Sequence, residues 1–381
     1  MFSFDRKNTG LVAKWWRNID KQILFLFVFL LLLGLFFSFS STTSVISEKM
    51  NKQTYFFFVK HLIFVSVSLS LIFLISIQEK EKLIKVLTFF FIVSIVFLFL
   101  TLIFGVEIKG SRRWMELGPL PRFQPVELVK PLFIIFVAKI MVLNEKTDIN
   151  KRYFYSFLVL LAVVIILINQ PDLGQTLLLT LTWITMIFVS GFSMIILSLS
   201  GLIFAIIFSL LIFFLPQKFG YVFQRIKTFL DPKTGDNFQS QKALEAIKQG
   251  GLTGQGMGEG ILKDKVPEAH TDYIIAVISE EFGAIFVLFI VIIFLFIGYR
   301  VLNRVFEGND EFLKLALIGL VSLLIIQTFI HIGVNIRLLP TTGMTLPFLS
   351  YGGSSLVGSS IIAGIILNFI RKDSVRYFKN E

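Results

Sequence analysis

The 381-residue chain contains no cysteine and only three histidines. Disulfide cross-links and thiolate chemistry are therefore excluded, and the redox compartment leaves no trace in the sequence. Charge is scarce as well: 16% of residues are charged against 55% hydrophobic, with a mean hydropathy of +0.81. A soluble domain of this length needs far more polar surface. The strict apolar–polar alternation of transmembrane β-strands is absent. No internal repeat is visible, and no paired short or broken helices of the inverted-repeat transporter kind. The glycine-rich stretch "GGLTGQGMGEG" at 250–260 lacks both the GK[ST] end of a phosphate loop and the G-x-G-x-x-G spacing. No metal-ligand cluster has convincing spacing; His270 and Asp272 at i, i+2 are too little.

What remains is a series of long apolar runs, the signature of membrane helices. They lie roughly at 22–42, 55–77, 86–105, 125–143, 154–169, 174–190, 193–215, 273–298, 313–335 and 347–370. The expected fold is an all-α polytopic membrane protein of about ten transmembrane helices, a single membrane domain over 1–381, with one long extracytoplasmic loop between helices 7 and 8. An even count places both ends on one side. Lys and Arg cluster in segment 1–21, in tail 371–381 and in the even-numbered short loops, so both termini are expected in the cytoplasm. The first run is too long for a signal-peptide core and nine more follow, so it is expected to be retained. The net charge of +11 reads as topology-setting residues meeting anionic lipid of the bilayer, not as a nucleic-acid footprint.

Several polar stretches break the pattern. In 105–131, Arg112 and Arg113 sit on the outer side, where short loops should be poor in positive charge, with Trp114 beside them. They read either as anchors of helix ends or as an anion site for a phosphate-bearing substrate. "FQPVELVKP" follows, with Gln124 ahead of Pro125. Glu127 and Lys130 share a helix face at i, i+3, just inside the membrane, where charges face a protein interior or a wet cavity. Pro131 is expected to break that helix and open room for a groove. Asp172 in "NQPDLGQT" reads mainly as a helix cap. The outer loop 216–272 is expected to be largely structureless, apart from an amphipathic helix over 236–251 with Phe238, Ala243, Leu244 and Ile247 as its apolar stripe, and its glycines to form a hinge or a backbone cradle for a phosphate. "PEAHTDY" brings Glu268, His270 and Asp272 to the outer edge of the eighth span, and Glu280 and Glu281 lie deeper. Gln327, His331 and Asn335 at i, i+4, i+8 form a polar stripe on the ninth span, expected to hold Glu280 or Glu281 in place. Pro340, Gly343 and Pro347 predict an irregular outer loop, and Gly352, Gly353, Ser354 and Ser355 close helix packing.

Taken in order, "GSRRW", "FQPVELVKP", "QPDLGQT", "FLDP", "GGLTGQGMGEG", "PEAHTDY", "SEEFG" and "LLPTTGMTLPFLSYGGSS" closely resemble the SEDS family, whose main branches are FtsW and RodA. The details look more like the division branch. The resemblance implies a glycosyltransferase of the bacterial inner membrane that polymerises the lipid-linked disaccharide-peptide lipid II into peptidoglycan strands at the division septum. It implies partners: a class B penicillin-binding protein (an FtsI-like transpeptidase) and other divisome membrane proteins. It places the family's essential outer-loop aspartate on Asp272, its charged pair on Glu127 and Lys130, and its basic loop residues on Arg112 and Arg113. Trp114, Gln124 and His270 join these as expected substrate-binding residues. Arg337 departs from the family pattern by adding a charge ahead of "LLP".

Transfer of a sugar from a lipid diphosphate needs a base, positive charge for the leaving group and a groove for the lipid tail. Asp272 is the expected base, and Arg112, Arg113 and Lys130 are candidates for the diphosphate. One carboxylate with cations fits inversion by direct displacement. No cofactor is expected in the protein; a divalent cation, Mg or Mn, would arrive with the substrate. Three alternatives stay open: a lipid II flippase, an elongation-branch polymerase and a recruiting scaffold.

Overall fold

In the computed structural model the described residues are 10–42, 56–108, 110–116, 118, 121–142, 148–214, 216–231 and 238–372. A short helix, α1 (Leu11–Asn18), precedes four long ones: α2 (Lys21–Thr42), α3 (Phe56–Ile77), α4 (Lys80–Phe104) and, after a small hairpin, α5 (Pro125–Val142). The hairpin pairs β1 (Val106–Ile108) antiparallel with β2 (Ser111–Trp114). Then come α6 (Ile149–Asn169), α7 (Leu173–Val189), α8 (Met194–Phe214), α9 (Pro216–Leu230), α10 (Phe238–Gly250), α11 (Ile274–Glu307), α12 (Glu311–Asn335) and α13 (Gly353–Ile370).

The helices form where apolar runs are long enough to bury one side and leave the other for lipid. Seven of them, α2, α3, α4, α6, α11, α12 and α13, are long and apolar enough to cross a membrane, and α7 is a shorter apolar helix. Each of the ten expected spans overlaps a helix, with α5, α7 and α8 accounting for the other three. The two faces differ sharply. On α4, Leu87, Phe91 and Leu98 are buried, while Phe89, Ile92, Val96, Phe99 and Ile103 are exposed, as a lipid-facing side should be. Aspartates start several helices by accepting backbone N–H groups: Asp20 before α2, Asp148 before α6, Asp172 before α7 and Asp310 before α12.

The centre of the molecule is α5, α12 and α13, whose residues are mostly buried. Glycine permits the closest contacts. A β-carbon on Gly358 of α13 would lie 2.6 Å from the Glu127 carbonyl oxygen of α5, and one on Gly353 would lie 2.4 Å from the ring of Phe64 on α3. The expected packing role of "GGSS" thus falls on Gly353, with Gly358 beyond it.

Several boundaries differ from expectation. The last span is helical only from Gly353, because 337–352 is irregular. The eighth runs on to Glu307, and the third begins at Lys80. α5 passes through the buried Pro131, so the expected break does not occur; the proline removes one backbone donor without ending the helix. The outer segment 216–272 carries two helices, α9 and α10, instead of one. On α10 the buried residues are Ser240, Ala243, Ala246 and Gly250, with Ile247 packed beside the core. Phe238 is exposed, and the inward face is made of small residues that let α10 lie close on α11.

α11 contains a break that periodicity does not reveal. Gly283 adopts φ 81° and ψ 173° between two helical pieces. A β-carbon there would lie 2.2 Å from the Leu252 carbonyl oxygen. The glycine-rich stretch after α10 docks on this break: Gln255 and Gly256 donate to the carbonyls of Glu280 and Glu281, and Ala284 and Ile285 donate back to Gly251 and Leu252. The break frees backbone groups, and the docked strand satisfies them.

Candidate active site

Asp272 ends the long segment 216–272, two residues before the start of α11. The turn that carries it is pinned from three directions by its own carbonyls. Tyr351 N–H donates to the His270 carbonyl at 2.9 Å, Ser350 Oγ to the Thr271 carbonyl at 2.7 Å, and Asn335 Nδ2 to the Asp272 carbonyl at 3.1 Å. Glu268 holds the start of the turn at φ 57°, and Thr271 Oγ1 bonds its carbonyl and its carboxylate. The backbone is thus fixed by α12 and by the 342–351 loop, while the half-buried Asp272 side chain stands beside Gly343. A β-carbon on Gly343 would lie 3.6 Å from Asp272 Oδ2, and Gly343 itself has φ 70°. His270 packs in an aromatic cluster with Phe57 and Tyr351, and His61 touches the same tyrosine ring. Burial holds the His270 imidazole below its ordinary pKa, with Glu268 pulling the other way.

Below this turn lies a buried polar chain. Gln175 Nε2 donates to Glu127 Oε1 at 3.1 Å, Lys130 Nζ meets Glu127 Oε2 at 2.8 Å and Gln327 Oε1 at 3.1 Å, and Gln327 Nε2 donates to the Thr345 carbonyl at 2.9 Å. His331 Nδ1 donates to the Met344 carbonyl at 2.8 Å, and Asn335 also donates to the His331 carbonyl. The predicted i, i+3 pair and the i, i+4, i+8 stripe therefore join one network, which ties α5, α7 and α12 to the loop beside Asp272.

The stripe does not hold Glu280 or Glu281, contrary to expectation. Glu280 accepts the N–H groups of Leu262 and Lys263, both at 2.7 Å. Glu281 accepts Gly258 N–H at 3.2 Å and forms an ion pair with Lys263 Nζ. The reason is the break at Gly283, which turns these carboxylates toward the docked outer segment. At Gln255, Gly256 and Gly258 the expected hinge or phosphate cradle is not formed: these three N–H groups already face the Glu280 and Glu281 carbonyls and the Glu281 carboxylate.

The basic hairpin divides in two. Arg112 stands opposite Glu107 across the strands, at 3.4 Å, and both are exposed. Arg113 turns inward: Nε donates to the Gln170 carbonyl at 3.1 Å, Nη2 bonds the Pro171 carbonyl, and Asp172 Oδ2 lies 3.7 Å away. Gln124 Nε2 reaches Asp172 Oδ2 at 3.4 Å, and Gln124 N–H donates to Ser354 Oγ at 3.0 Å. Trp114, half-buried, pairs with Val106. Asp172 does cap α7, through Gln175 N–H at 3.3 Å, but it also organises this cluster. Burial pushes its carboxyl above the usual range, against Arg113, the Gln175 N–H and Arg225, while Glu127 adds to the rise. Sequence reasoning missed this second role; the signal was an inner-facing arginine in a loop that should lack cations.

Among the described residues no group of three or more His, Asp and Glu side chains is placed to hold a metal ion.

Comparison with known proteins bears on what this arrangement does. The family of cell cycle proteins FtsW/RodA/SpoVE matches residues 21–375. The "Probable peptidoglycan glycosyltransferase FtsW" of Caulobacter vibrioides is 33% identical over 372 residues, 97% of this chain and 94% of that protein. The protein of the same name from Haemophilus ducreyi is 32% identical over 342 residues, 87% of this chain and 85% of that one. A solved chain from work on "Structural coordination of polymerization and crosslinking by a peptidoglycan synthase complex" superposes with a TM-score of 0.75 at 26% identity, covering 92% of this chain and 97% of that one.

Proposed function

The chain belongs to the FtsW/RodA/SpoVE family of cell cycle proteins, and we propose that it is a peptidoglycan glycosyltransferase whose general base is Asp272. It is a multi-pass membrane protein. In this reading it has ten spans, lies in the bacterial inner membrane with both termini in the cytoplasm, works at the division septum and takes lipid II as substrate. Its partner is a class B penicillin-binding protein, with other division proteins around it.

The observation that carries the reading is the Asp272 turn. Three successive carbonyls are held by Tyr351, Ser350 and Asn335. A carboxylate on such a support keeps its position when charge develops next to it, which is what a general base requires. In the reaction an acceptor hydroxyl oxygen attacks the anomeric carbon of the donor sugar. The bond from that carbon to the phosphate oxygen breaks, the diphosphate leaves with the electron pair, and Asp272 takes the hydroxyl proton. One carboxylate and direct displacement give inversion.

The other residues act around it. Arg112, exposed on the hairpin, is the hairpin cation open to an arriving diphosphate, with Trp114 beside it at the bilayer surface. Arg113 and Gln124 hold Asp172. Glu127 and Lys130 form a closed pair within the polar chain that shapes the floor of the site, and His270 packs behind the base. Glu280, Glu281, Gln327, His331 and Asn335 hold the frame. A divalent cation, Mg or Mn, would be carried by the substrate diphosphate and would offset its charge there. The closed Glu127–Lys130–Gln327 network supports a fixed floor more than the open path a flippase needs.

The experiment is lipid II polymerisation by the purified protein with its partner. Glycan polymer supports the reading; flipping in vesicles without polymer rejects it. A fluorescent fusion at midcell supports the division branch, and a sidewall distribution rejects that assignment.

A further inference from the structure

A cavity of about 260 Å³ opens on the outer side between α9 and the segment that follows α12. Tyr221, Gln224 and Arg225 line one wall, and Arg337, Pro340 and Thr341 the other. None of these side chains has a part in the base or its support.

Arg337 is the unexpected residue. It follows the C-terminal cap of α12 with φ 58°. Its N–H returns to the Val334 carbonyl at 3.1 Å and Leu338 N–H returns to the Gly333 carbonyl at 2.7 Å, the paired bonds that close a helix with a left-handed residue. Glycine suits that conformation because it has no β-carbon; an arginine there strains the backbone. Strain of this kind, once observed, is a reason to look for function. The Arg337 guanidinium makes no hydrogen bond or ion pair among the described residues.

The opposite wall is equally suited to an anion. Arg225 Nη1 donates to the Thr341 carbonyl at 3.2 Å, which ties α9 to the strap carrying Arg337. Tyr221 Oη is buried and has no hydrogen-bond partner among the described residues. Two guanidinium forks and a phenol around one small cavity match the oxygens of a phosphate group. The cavity is also close to the base. Gly343 is the second residue after Thr341, at most roughly 7 Å along the chain, and it adjoins the Asp272 carboxylate.

We propose that this cavity binds the diphosphate of a lipid-linked substrate, gripped by Arg337 and Arg225 from opposite walls with Tyr221 donating between them. The inference rests on the glycosyltransferase reading for the identity of the lipid, and extends it by naming a second anion grip beyond the hairpin arginines.

The test is direct binding to the full-length protein in detergent, with undecaprenyl diphosphate titrated and inorganic pyrophosphate as competitor. Arg337→Gly should weaken lipid binding at least tenfold while its thermal midpoint stays equal or rises, since glycine relieves the backbone. Arg337→Lys should fall between, and Leu338→Ala, at the exposed neighbour, should bind as the unsubstituted chain does. Pyrophosphate should compete in the unsubstituted protein. Unchanged binding by Arg337→Gly, or failure of pyrophosphate to compete, overturns the proposal. The two readings fail separately. Arg337-dependent binding without any lipid II polymerisation removes the enzyme reading and leaves the cavity. Polymerisation with unchanged binding in Arg337→Gly does the reverse.

Discussion

The ion pair between Lys263 and Glu281 offers a quantitative test of how the outer segment is held. Lys263 is 8% exposed and Glu281 is 1% exposed. Replacing Lys263 by Met leaves the Glu281 carboxylate buried with Gly258 N–H at 3.2 Å as a remaining donor. Stranding a buried charge in this way costs about 3–5 kcal/mol. At 1.4 kcal/mol per decade, opening of the docked segment should become more frequent by roughly two to three and a half decades. The assay follows from the absence of cysteine. Ser279 is 2% exposed, and its carbonyl would lie 1.9 Å from a β-carbon on Gly250 of α10. A Ser279→Cys protein therefore carries a single thiol, buried beside the contact between α10 and α11, and its labelling rate follows the opening equilibrium when reclosing is fast. Lys263→Met should accelerate labelling by that factor. Lys263→Met with Glu281→Leu should return most of the protection, because an apolar pair replaces a buried carboxylate deprived of its counter-ion. Labelling of Lys263→Met at the original rate, or a double variant as open as the single one, would mean that the ion pair does not hold the segment down.

Three further outcomes are expected. Gly254→Ala introduces a β-carbon 2.2 Å from the Glu281 carbonyl oxygen at φ 78°, so it should speed Ser279→Cys labelling at least as much as Lys263→Met does. Asn335→Leu removes the donor to the Asp272 carbonyl at 3.1 Å and to the His331 carbonyl at 2.8 Å; each lost bond is worth about 1 kcal/mol plus the stranded acceptor, and kcat for lipid II polymerisation should fall about tenfold or more as the base loses its position, whereas an unaltered kcat rejects the support role. Burial keeps the folded His270 imidazole below its ordinary value of 6.5, so the unfolded chain takes up the proton first as pH falls. Stability should therefore decrease as pH drops below about 6.5 toward the folded pKa, and His270→Gln should flatten that part of a thermal-midpoint profile; identical profiles reject it.

Much of this was legible along the chain. The apolar runs stand out by length, and seven of the helices they form among the described residues are long and apolar enough to cross a membrane. The Glu127–Lys130 pairing follows from helical spacing alone, and Asp272 stood out as a carboxylate at a membrane edge. What could not be read depended on segments distant in sequence meeting in space. Glu280 and Glu281 sit on a helix whose apolar pattern continues past Gly283, so nothing local signals that the chain breaks there and turns both carboxylates toward 258–263. Asp172 looked like a cap because capping is local, whereas its contact with Arg113 joins two loops across α5 and α6. Pro131 does not end α5, because one lost donor inside a buried helix is tolerated. The left-handed conformation of Arg337 is likewise set by the closing bonds of α12, which no side-chain pattern announces.

In the proposed reaction Asp272 takes the proton during glycosyl transfer. The most direct measurement is lipid II polymerisation by the purified protein and by its Asp272→Asn variant, with the partner transpeptidase present in both arms and thermal midpoints compared first. Matched midpoints are expected, with glycan polymer from the unsubstituted chain and at least about a hundredfold slower polymerisation by the variant. A folded Asp272→Asn protein that polymerises lipid II at the unsubstituted rate would contradict it.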